Sequence, residues 1–221
     1  MCKIILKYGD ALTTKEISEH RESMEKGAGF AWFAGGDFKL TKNMIHQKAY
    51  DTYINHVGRS ELHLFHSRWP SEGSVNFQNI QPFMTEDVLF CHNGTITNMS
   101  QLYYACMGKG IKFTPEMSDS FLLFRLVSNS PPDSAVTLLK SIEQNFVIAF
   151  KKRKEVHVIG KFIMEVSEDK THVLSARNKY TGSKVHIITD FYGKVLYSEI
   201  EPDKYWHQPR FRMATEMEPI D

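Results

Sequence analysis

The chain has 221 residues, of which 42% are hydrophobic and 24% are charged, and its formal net charge at pH 7 is +1. This composition is typical of a globular protein, and the length allows one large domain or two small ones. The near-zero net charge gives no reason to expect nucleic acid or a membrane surface as a partner, and no apolar run reaches the ~18–20 residues of a membrane-spanning helix.

Cysteine usage points to a reducing compartment. The three cysteines, Cys2, Cys91 and Cys106, form no CxxC pair. An odd count without metal-ligand spacing argues against a disulfide framework and against a structural zinc site. The first residues, MCKIILKYGD, lack the basic and long apolar segments of a signal peptide. We therefore expect a cytoplasmic protein that holds neither a metal ion nor another cofactor.

Hydrophobic periodicity and capping residues predict helices and strands through the first two thirds of the chain. A strand at 3–8 precedes a helix that begins with the capping box Thr13–Glu16 and ends near Gly27. The further predicted elements are a strand at 29–33, a helix at 45–56, strands at 61–68 and 87–92, and helices that begin near Asn98, at Ser118 and at Pro132.

From Asn145 onward, six short β-type runs follow one another, separated by charged or glycine-containing turns. The separation of helices from this β-rich half predicts the α+β class and a single domain over 1–221, with the structure of the tail 201–221 left open. The basic run 151–154 lies between two of the β-type runs, so we expect a solvated hairpin turn there and not a nucleic-acid site.

Cys2 directly follows Met1, so removal of Met1 leaves a cysteine with a free α-amine. An α-amine titrates near ~7.7–8.0 and a thiol near ~8.5, so the amine can accept the thiol proton at neutral pH. A cysteine in a first strand is also a common core residue, so the position of Cys2 alone leaves both interpretations open.

Three further segments carry polar groups that suit catalysis: HSRW at 66–69, HNG at 92–94 and SDS at 118–120. Each also has a structural explanation. Arg68 can be a surface cation at a strand end, and Asn93–Gly94 is a strong signal for a type I′ hairpin turn. Asp119 is favoured at a helix N-terminus, where the helix dipole stabilises a carboxylate.

In chain order, Cys2, HSRW, the segment NIQPF at 79–83, HNG and SDS resemble the motifs of class II glutamine amidotransferases, which are N-terminal-nucleophile (Ntn) hydrolases. The resemblance extends from Cys2 to about residue 128. It implies an Ntn-hydrolase αββα sandwich of two mainly antiparallel sheets between helices. It also implies that glutamine is the substrate and that its side-chain amide is hydrolysed through a thioester on an N-terminal cysteine.

The same resemblance assigns roles to individual residues. Cys2 matches the nucleophile, with its α-amine as the base, and the oxyanion hole matches the side-chain amide of Asn93 and the backbone N–H of Gly94. Arg68 matches the residue that clamps the substrate carboxylate, and its planar fork can bond both oxygens. Asp119 matches the residue that receives the substrate ammonium group.

Four other residues have expected supporting roles. By the resemblance, Trp69 forms a wall of the substrate pocket, and the loop 70–78 closes over glutamine with Gly73 as its permissive point. We expect His92 and His66 to support the site through hydrogen bonds, because the α-amine already supplies a base.

The chain also departs from the family pattern. Lys3 stands where a glycine usually follows the nucleophile, and Pro70 and Glu72 replace the usual lid residues. No segment after the amidotransferase-like unit is long enough for a synthetase domain, so we expect a stand-alone enzyme that supplies ammonia to a synthetase subunit in trans. The alternatives are a γ-glutamyl amide hydrolase without ammonia transfer, a cysteine-first amidase for other amides, and a non-catalytic Ntn-like binding or scaffold protein.

Overall fold

The computed structural model describes residues 2–19, 26–70, 73–166, 172–176 and 182–201. The helices in these ranges are α1 (Thr14–Glu19), α2 (His46–His56), α3 (Met99–Gly108), α4 (Asp119–Ser128) and α5 (Pro132–Ser141). The strands are β1 (Lys3–Tyr8), β2 (Ala28–Ala34), β3 (Asp37–Asn43), β4 (Leu62–Ser67), β5 (Phe83–Met84), β6 (Val88–Asn93), β7 (Asn145–Phe150), β8 (Glu155–Val166), β9 (His172–Ala176), β10 (Ser183–Thr189) and β11 (Val195–Glu201).

These strands form two antiparallel sheets that share one strand. The first sheet has the order β3-β2-β4-β1-β9-β8, and the second has the order β11-β10-β8-β7-β6-β5. The part of β8 before Gly160 pairs with β7, and the part after Phe162 pairs with β9. β8 therefore belongs to both sheets.

The buried side chains divide into three layers, which define the architecture. Ile4 and Leu6 of β1 face β6, β7 and β8 and fill the space between the two sheets. The intervening Ile5 faces the other way and packs with residues of α2. On its outer face, the second sheet packs against α3, α4 and α5. The order helix, sheet, sheet, helices is the predicted αββα sandwich and confirms the α+β class.

Most predicted elements coincide with observed ones, but one strand was not predicted and two predictions are wrong. The strand without a prediction is β3, which pairs with β2 along its whole length. The runs EVHVIG and KFIMEV were predicted as two strands and form the single strand β8. The alternative of a hairpin at Asn93–Gly94 fails, because β6 ends at Asn93 and no strand follows before α3.

The basic run 151–154 is confirmed as a turn, between β7 and β8. Three of its cations form ion pairs at the surface, Lys151 with Asp37, Lys152 with Asp87 and Arg153 with Asp133. The first helix was predicted to end near Gly27, and the stretch 20–25 of this prediction lies outside the described residues, as does the tail beyond Glu201. No helix in the described ranges has the length and apolar character needed to cross a membrane.

Candidate active site

The sequence motifs meet at one end of the two sheets. Cys2 directly precedes β1, and Arg68 directly follows β4. Because β1 and β4 are antiparallel with Lys3 opposite Ser67, Cys2 and Arg68 lie side by side. A pocket opens there, with a cavity volume of about 10 Å³. Its walls are formed by Cys2, Arg68, Trp69, Asn79, Gln81, Gly94, Ser118, Asp119 and Ser120.

The thiol of Cys2 is held by the backbone of Trp69. Sγ donates to the Trp69 carbonyl oxygen at 3.2 Å and accepts from the Trp69 N–H, also at 3.2 Å. Burial raises the pKa of the Cys2 thiol, and the Trp69 N–H and the Arg68 guanidinium oppose this shift. The raised pKa favours the thiol over the thiolate, so a nucleophilic Cys2 needs a base. Lys3 follows on the opposite strand face, away from the thiol.

Arg68 is 3% exposed, so the guanidinium is not the surface cation of the structural alternative. Its Nη2 donates to the carbonyl oxygen of Ser74 at 3.3 Å. Its backbone is fixed as well, because its N–H donates to the Gly27 carbonyl and its own carbonyl accepts from Lys26. The structure therefore presents a fixed cation on the wall of the Cys2 pocket.

Asp119 is the first residue of α4 and is also 3% exposed. Its Oδ1 accepts from the N–H of Ser120 at 2.7 Å and from the Ser120 hydroxyl at 3.2 Å. Its Oδ2 accepts from the N–H of Ile96 at 2.8 Å. These donors hold the carboxylate at the pocket that Arg68 also lines.

Of the two oxyanion donors predicted in the HNG segment, one lies at the pocket and the other does not. Gly94 lies on the pocket wall, whereas the Asn93 side chain does not. Nδ2 of Asn93 instead donates to the carbonyl oxygen of Ala176 at the end of β9, at 3.0 Å. Gly94 is tightly enclosed, since an added Cβ would lie 1.8 Å from Oε1 of Gln144.

His92 points away from the pocket and toward α4. Its Nδ1 lies 2.8 Å from the Ser120 hydroxyl, and its ring stacks on Phe146 with the ring centroids 4.9 Å apart. Burial lowers the pKa of His92 to about 4, and burial lowers that of His66 to about 3. His92 therefore lies behind the pocket wall, where it contacts the wall residues Ser120 and Gln81 and lies beside Gly94. Both histidines are neutral at pH 7.

Trp69 and Gly73 occupy two different parts of the site. Trp69 lies on the pocket wall as expected, and its backbone contacts the Cys2 thiol. Gly73 lies outside the wall and has φ of +73°, a conformation that favours glycine. A Cβ at Gly73 would lie 2.7 Å from the Cα of Ser118, so this glycine packs closely against the start of α4.

Sequence reasoning missed four pocket residues as site members: Asn79, Gln81, Ser118 and Ser120. The segments NIQPF and SDS served only as anchors of the motif order. The available signal was the presence of polar side chains at 79 and 81 in a segment that also contains Ile80 and Phe83. Buried polar groups of this kind require partners, so they mark a structured turn and not a surface loop.

A larger open groove of about 1050 Å³ lies outside the pocket, between α3, α4 and α5 on one side and β8 and β10 on the other. Gly94 and Gln144 stand between the two spaces, and the groove contains none of the predicted site residues. The pocket, and not the larger groove, is therefore the candidate active site. No group of three or more potential metal ligands occurs within the described ranges.

The sequence is similar to parts of known glutamine-dependent aminotransferases, although no model of a protein family matches it. A glutamine–fructose-6-phosphate aminotransferase of Pectobacterium atrosepticum is 26% identical over 106 residues, which cover 48% of this chain and 17% of that protein. The enzyme of the same description from Thermotoga maritima is 25% identical over 158 residues, 65% of this chain and 25% of that protein. The chain thus matches a quarter or less of these two relatives.

Two solved structures show the same fold. Glutamine phosphoribosylpyrophosphate amidotransferase from B. subtilis superposes on 91% of this chain and 49% of its own, with a TM-score of 0.64 at 15% identity. A glutamine aminotransferase class-II domain protein from Silicibacter pomeroyi covers 91% of this chain and 100% of its own, with a TM-score of 0.58 at 12% identity. These neighbours confirm the Ntn-hydrolase fold, and with the sequence relatives they confirm the resemblance that the motifs indicate.

Proposed function

We propose that this chain, a class II glutamine amidotransferase domain, hydrolyses the side-chain amide of glutamine to glutamate and ammonia through a thioester on Cys2. The observation that supports the proposal is one pocket lined by the Cys2 thiol, the Arg68 cation and the Asp119 anion. A free amino acid carries a carboxylate and an ammonium group, which need opposite charges held apart. A peptide-bound glutamine offers neither group.

The proposed reaction begins after removal of Met1. The α-amine of Cys2 takes the proton from Sγ, and Sγ attacks the amide carbon of glutamine. The negative oxygen that forms accepts from the N–H of Gly94. As the C–N bond breaks, the protonated amine returns its proton to the leaving nitrogen, which departs as ammonia. Water then attacks the thioester, which releases glutamate and regenerates the thiol.

The second proposed oxyanion donor is the side-chain amide of Asn93. Its Nδ2 group has two hydrogens, and the contact with Ala176 uses one of them. The other hydrogen is the proposed donor, because catalytic hydrogen bonds often form fully only in the substrate complex. The cavity of about 10 Å³ accommodates one water molecule at most, so the pocket must widen before glutamine binds.

The proposal is tested with protein whose N-terminal residue is shown by mass spectrometry to be Cys2. We expect this protein to release glutamate and ammonia from glutamine in equal amounts, and Cys2→Ala to release neither. Cys106→Ala is the matched control, because Cys106 is a buried cysteine that packs in the helix layer of the second sheet. Loss of activity in both variants would show that the effect comes from the fold and not from the nucleophile.

Retention of Met1 provides a second test of the base. Insertion of one glutamate between Met1 and Cys2 keeps the thiol and buries its nitrogen in a peptide bond. We expect turnover to fall by about 10²–10⁴, the usual contribution of a general base. Full activity of the insertion variant would exclude the α-amine as the base.

We further propose that the ammonia passes to an acceptor outside these 221 residues, in the cytoplasm. A separate acceptor is supported by the match to a quarter or less of two aminotransferase relatives. The cytoplasmic location is supported by the three free cysteines, which are typical of a reducing compartment. The test adds a candidate acceptor protein and measures free ammonia with a coupled dehydrogenase. Less free ammonia than glutamate supports transfer, whereas equal amounts with every acceptor support the simple amide hydrolase.

Substrate comparison separates the remaining alternatives. The clamp formed by Arg68 and Asp119 predicts hydrolysis of free glutamine well above that of N-acetylglutamine amides and simple aliphatic amides. An amidase of broader specificity would hydrolyse these compounds at similar rates. A binding or scaffold protein would bind glutamine without turnover.

A further inference from the structure

The side chain of Asn79 connects the two charged sides of the pocket. It is fully buried and lies on the pocket wall. Its Nδ2 donates to the carbonyl oxygens of Ser74, at 2.9 Å, and of Glu116, at 2.7 Å. Its Oδ1 accepts from the N–H of Ser118 at 2.9 Å. The partners fix the orientation of the amide, because a flip would point its oxygen at two carbonyl oxygens.

Two of these partners, Ser74 and Ser118, are linked to the charged residues Arg68 and Asp119. The Ser74 carbonyl that accepts from Asn79 also accepts from Nη2 of Arg68 at 3.3 Å. Ser118 caps α4 by accepting from the N–H of Phe121, and Asp119 is the next residue. One buried amide therefore joins the loop that contacts the cation to the helix end that carries the anion.

We propose that Asn79 is a positioning residue that sets the separation between Arg68 and Asp119, and so selects substrates that carry both a carboxylate and an ammonium group. Asn79 acts through Ser74 and Ser118 and transfers no proton. The inference rests on the proposed glutamine hydrolysis and adds a determinant of its substrate selectivity. A fixed separation matters only for a ligand that contacts both charges at once.

Asn79→Asp tests this role with almost no change of shape. The variant keeps an acceptor for the Ser118 N–H and places an oxygen against the carbonyls of Ser74 and Glu116, so the loop moves away from α4. Binding is measured by calorimetry in a Cys2→Ala background, and turnover in the processed enzyme. We expect the Kd and the KM for glutamine to rise about 10-fold and kcat to change less than about 3-fold.

Hydrolysis of glutamine analogues that carry only one of the two charged groups separates a role in positioning from a general loss of stability. A loss of stability would slow the hydrolysis of all substrates equally, whereas lost positioning would slow only that of glutamine. The compound 4-carbamoylbutanoate lacks the ammonium group of glutamine, and 4-aminobutanamide lacks its carboxylate. Both should be hydrolysed by Asn79→Asp about as well as by the wild type, so the preference for glutamine shrinks. Thr13→Ala, which removes the cap of α1 on the outer side of the first sheet, is the control for lost stability.

The outcomes separate this inference from the proposed function. A wild type that neither binds nor hydrolyses glutamine overturns the proposed function, and the inference with it. A wild type that hydrolyses glutamine while Asn79→Asp keeps the same Kd and the same preference overturns only the role of Asn79. Equal changes in Asn79→Asp and Thr13→Ala overturn it as well. If Asn79→Asp does not fold, Asn79→Ala removes the same bonds without adding a charge.

Discussion

The side chain of Gln81 pairs with the backbone of His92 as a neighbouring strand would. Its Oε1 accepts from the His92 N–H at 2.6 Å, and its Nε2 donates to the His92 carbonyl at 3.0 Å. Strand β5 pairs with β6 only at Phe83 and Met84, opposite Phe90 and Leu89. Beyond that point the side-chain amide extends the ladder to the residue before Asn93–Gly94.

We predict that Gln81→Leu lowers kcat and leaves KM nearly unchanged. The leucine has a similar volume but forms neither bond, so the segment that carries Gly94 shifts relative to the thiol. Removal or misplacement of one oxyanion donor typically costs about 10²–10³ in rate, and we expect a loss of about 10–100-fold here. Steady-state glutamate release measures it, with the exposed Gln47→Leu of α2 as control. A raised KM with normal kcat would contradict the prediction.

Arg68→Lys should raise the KM for glutamine by about 10–100-fold and change the melting temperature little. A lysine keeps the charge but cannot form the bidentate contact with a carboxylate, and charge-assisted hydrogen bonds contribute about 1.5–3 kcal/mol. The comparison is Arg153→Lys, since Arg153 forms an exposed ion pair with Asp133 in a turn. Equal KM values for the two variants would remove Arg68 from the clamp.

Stability should fall in mild acid because of buried neutral histidines. Burial lowers the pKa of His66 to about 3, below the ~6.5 of an unfolded histidine. The unfolded chain therefore binds a proton that the folded chain excludes, so the stabilisation is complete above pH 6.5 and is lost toward pH 3. His66→Gln should reduce the slope of the unfolding free energy by about 1.4 kcal/mol per pH unit between pH 4 and 6. Urea unfolding at several pH values measures it, and an unchanged slope would show that His66 is protonated in the folded state.

Gly94→Ala should destabilise the protein, chiefly through a clash with Gln144. The added Cβ would lie 1.8 Å from Oε1 of Gln144 and 2.9 Å from Nε2 of His92. Overpacking of this kind costs about 1–3 kcal/mol, and the double variant with Gln144→Ala should recover part of it. Gly108→Ala is the control, because no atom beyond its chain neighbours and the backbone of its own helix lies within 4 Å of its added Cβ. Additive effects of the two substitutions would show that Gln144 is not the obstacle.

Local signals in the sequence predicted the elements that carry the site. Ser118 caps α4 as the sequence pattern indicated, and Asp119 therefore lies at a helix N-terminus. The structural and catalytic interpretations of this aspartate do not exclude each other, because the cap brings the carboxylate to the pocket. The edge strand β3 was missed since only Phe38 and Leu40 are apolar in it, and its backbone pairing with β2 outweighs its charged side chains.

Long-range partners were beyond sequence reasoning. The motif places Asn93 beside Gly94, but the contact of its side chain with Ala176 joins positions 83 residues apart. No periodicity encodes such a pair. A long-range contact also explains why β8 continues through Gly160, where a break between two strands was predicted. Gly160 has φ of +114°, and a Cβ there would lie 2.2 Å from the Gln144 carbonyl oxygen. The glycine thus allows a close approach within a strand and does not end it.

The strand shared by both sheets has a consequence for how the molecule opens. Cys2 adjoins β1, and Gly94 adjoins β6, and an unbroken series of backbone ladders connects these strands through β9, β8 and β7. If the two sheets separated, β8 would lose its hydrogen bonds to one of them. We therefore expect the amide hydrogens of β1, β8 and β6 to exchange with solvent in one cooperative event. The same opening would displace both Cys2 and Gly94 from the active site.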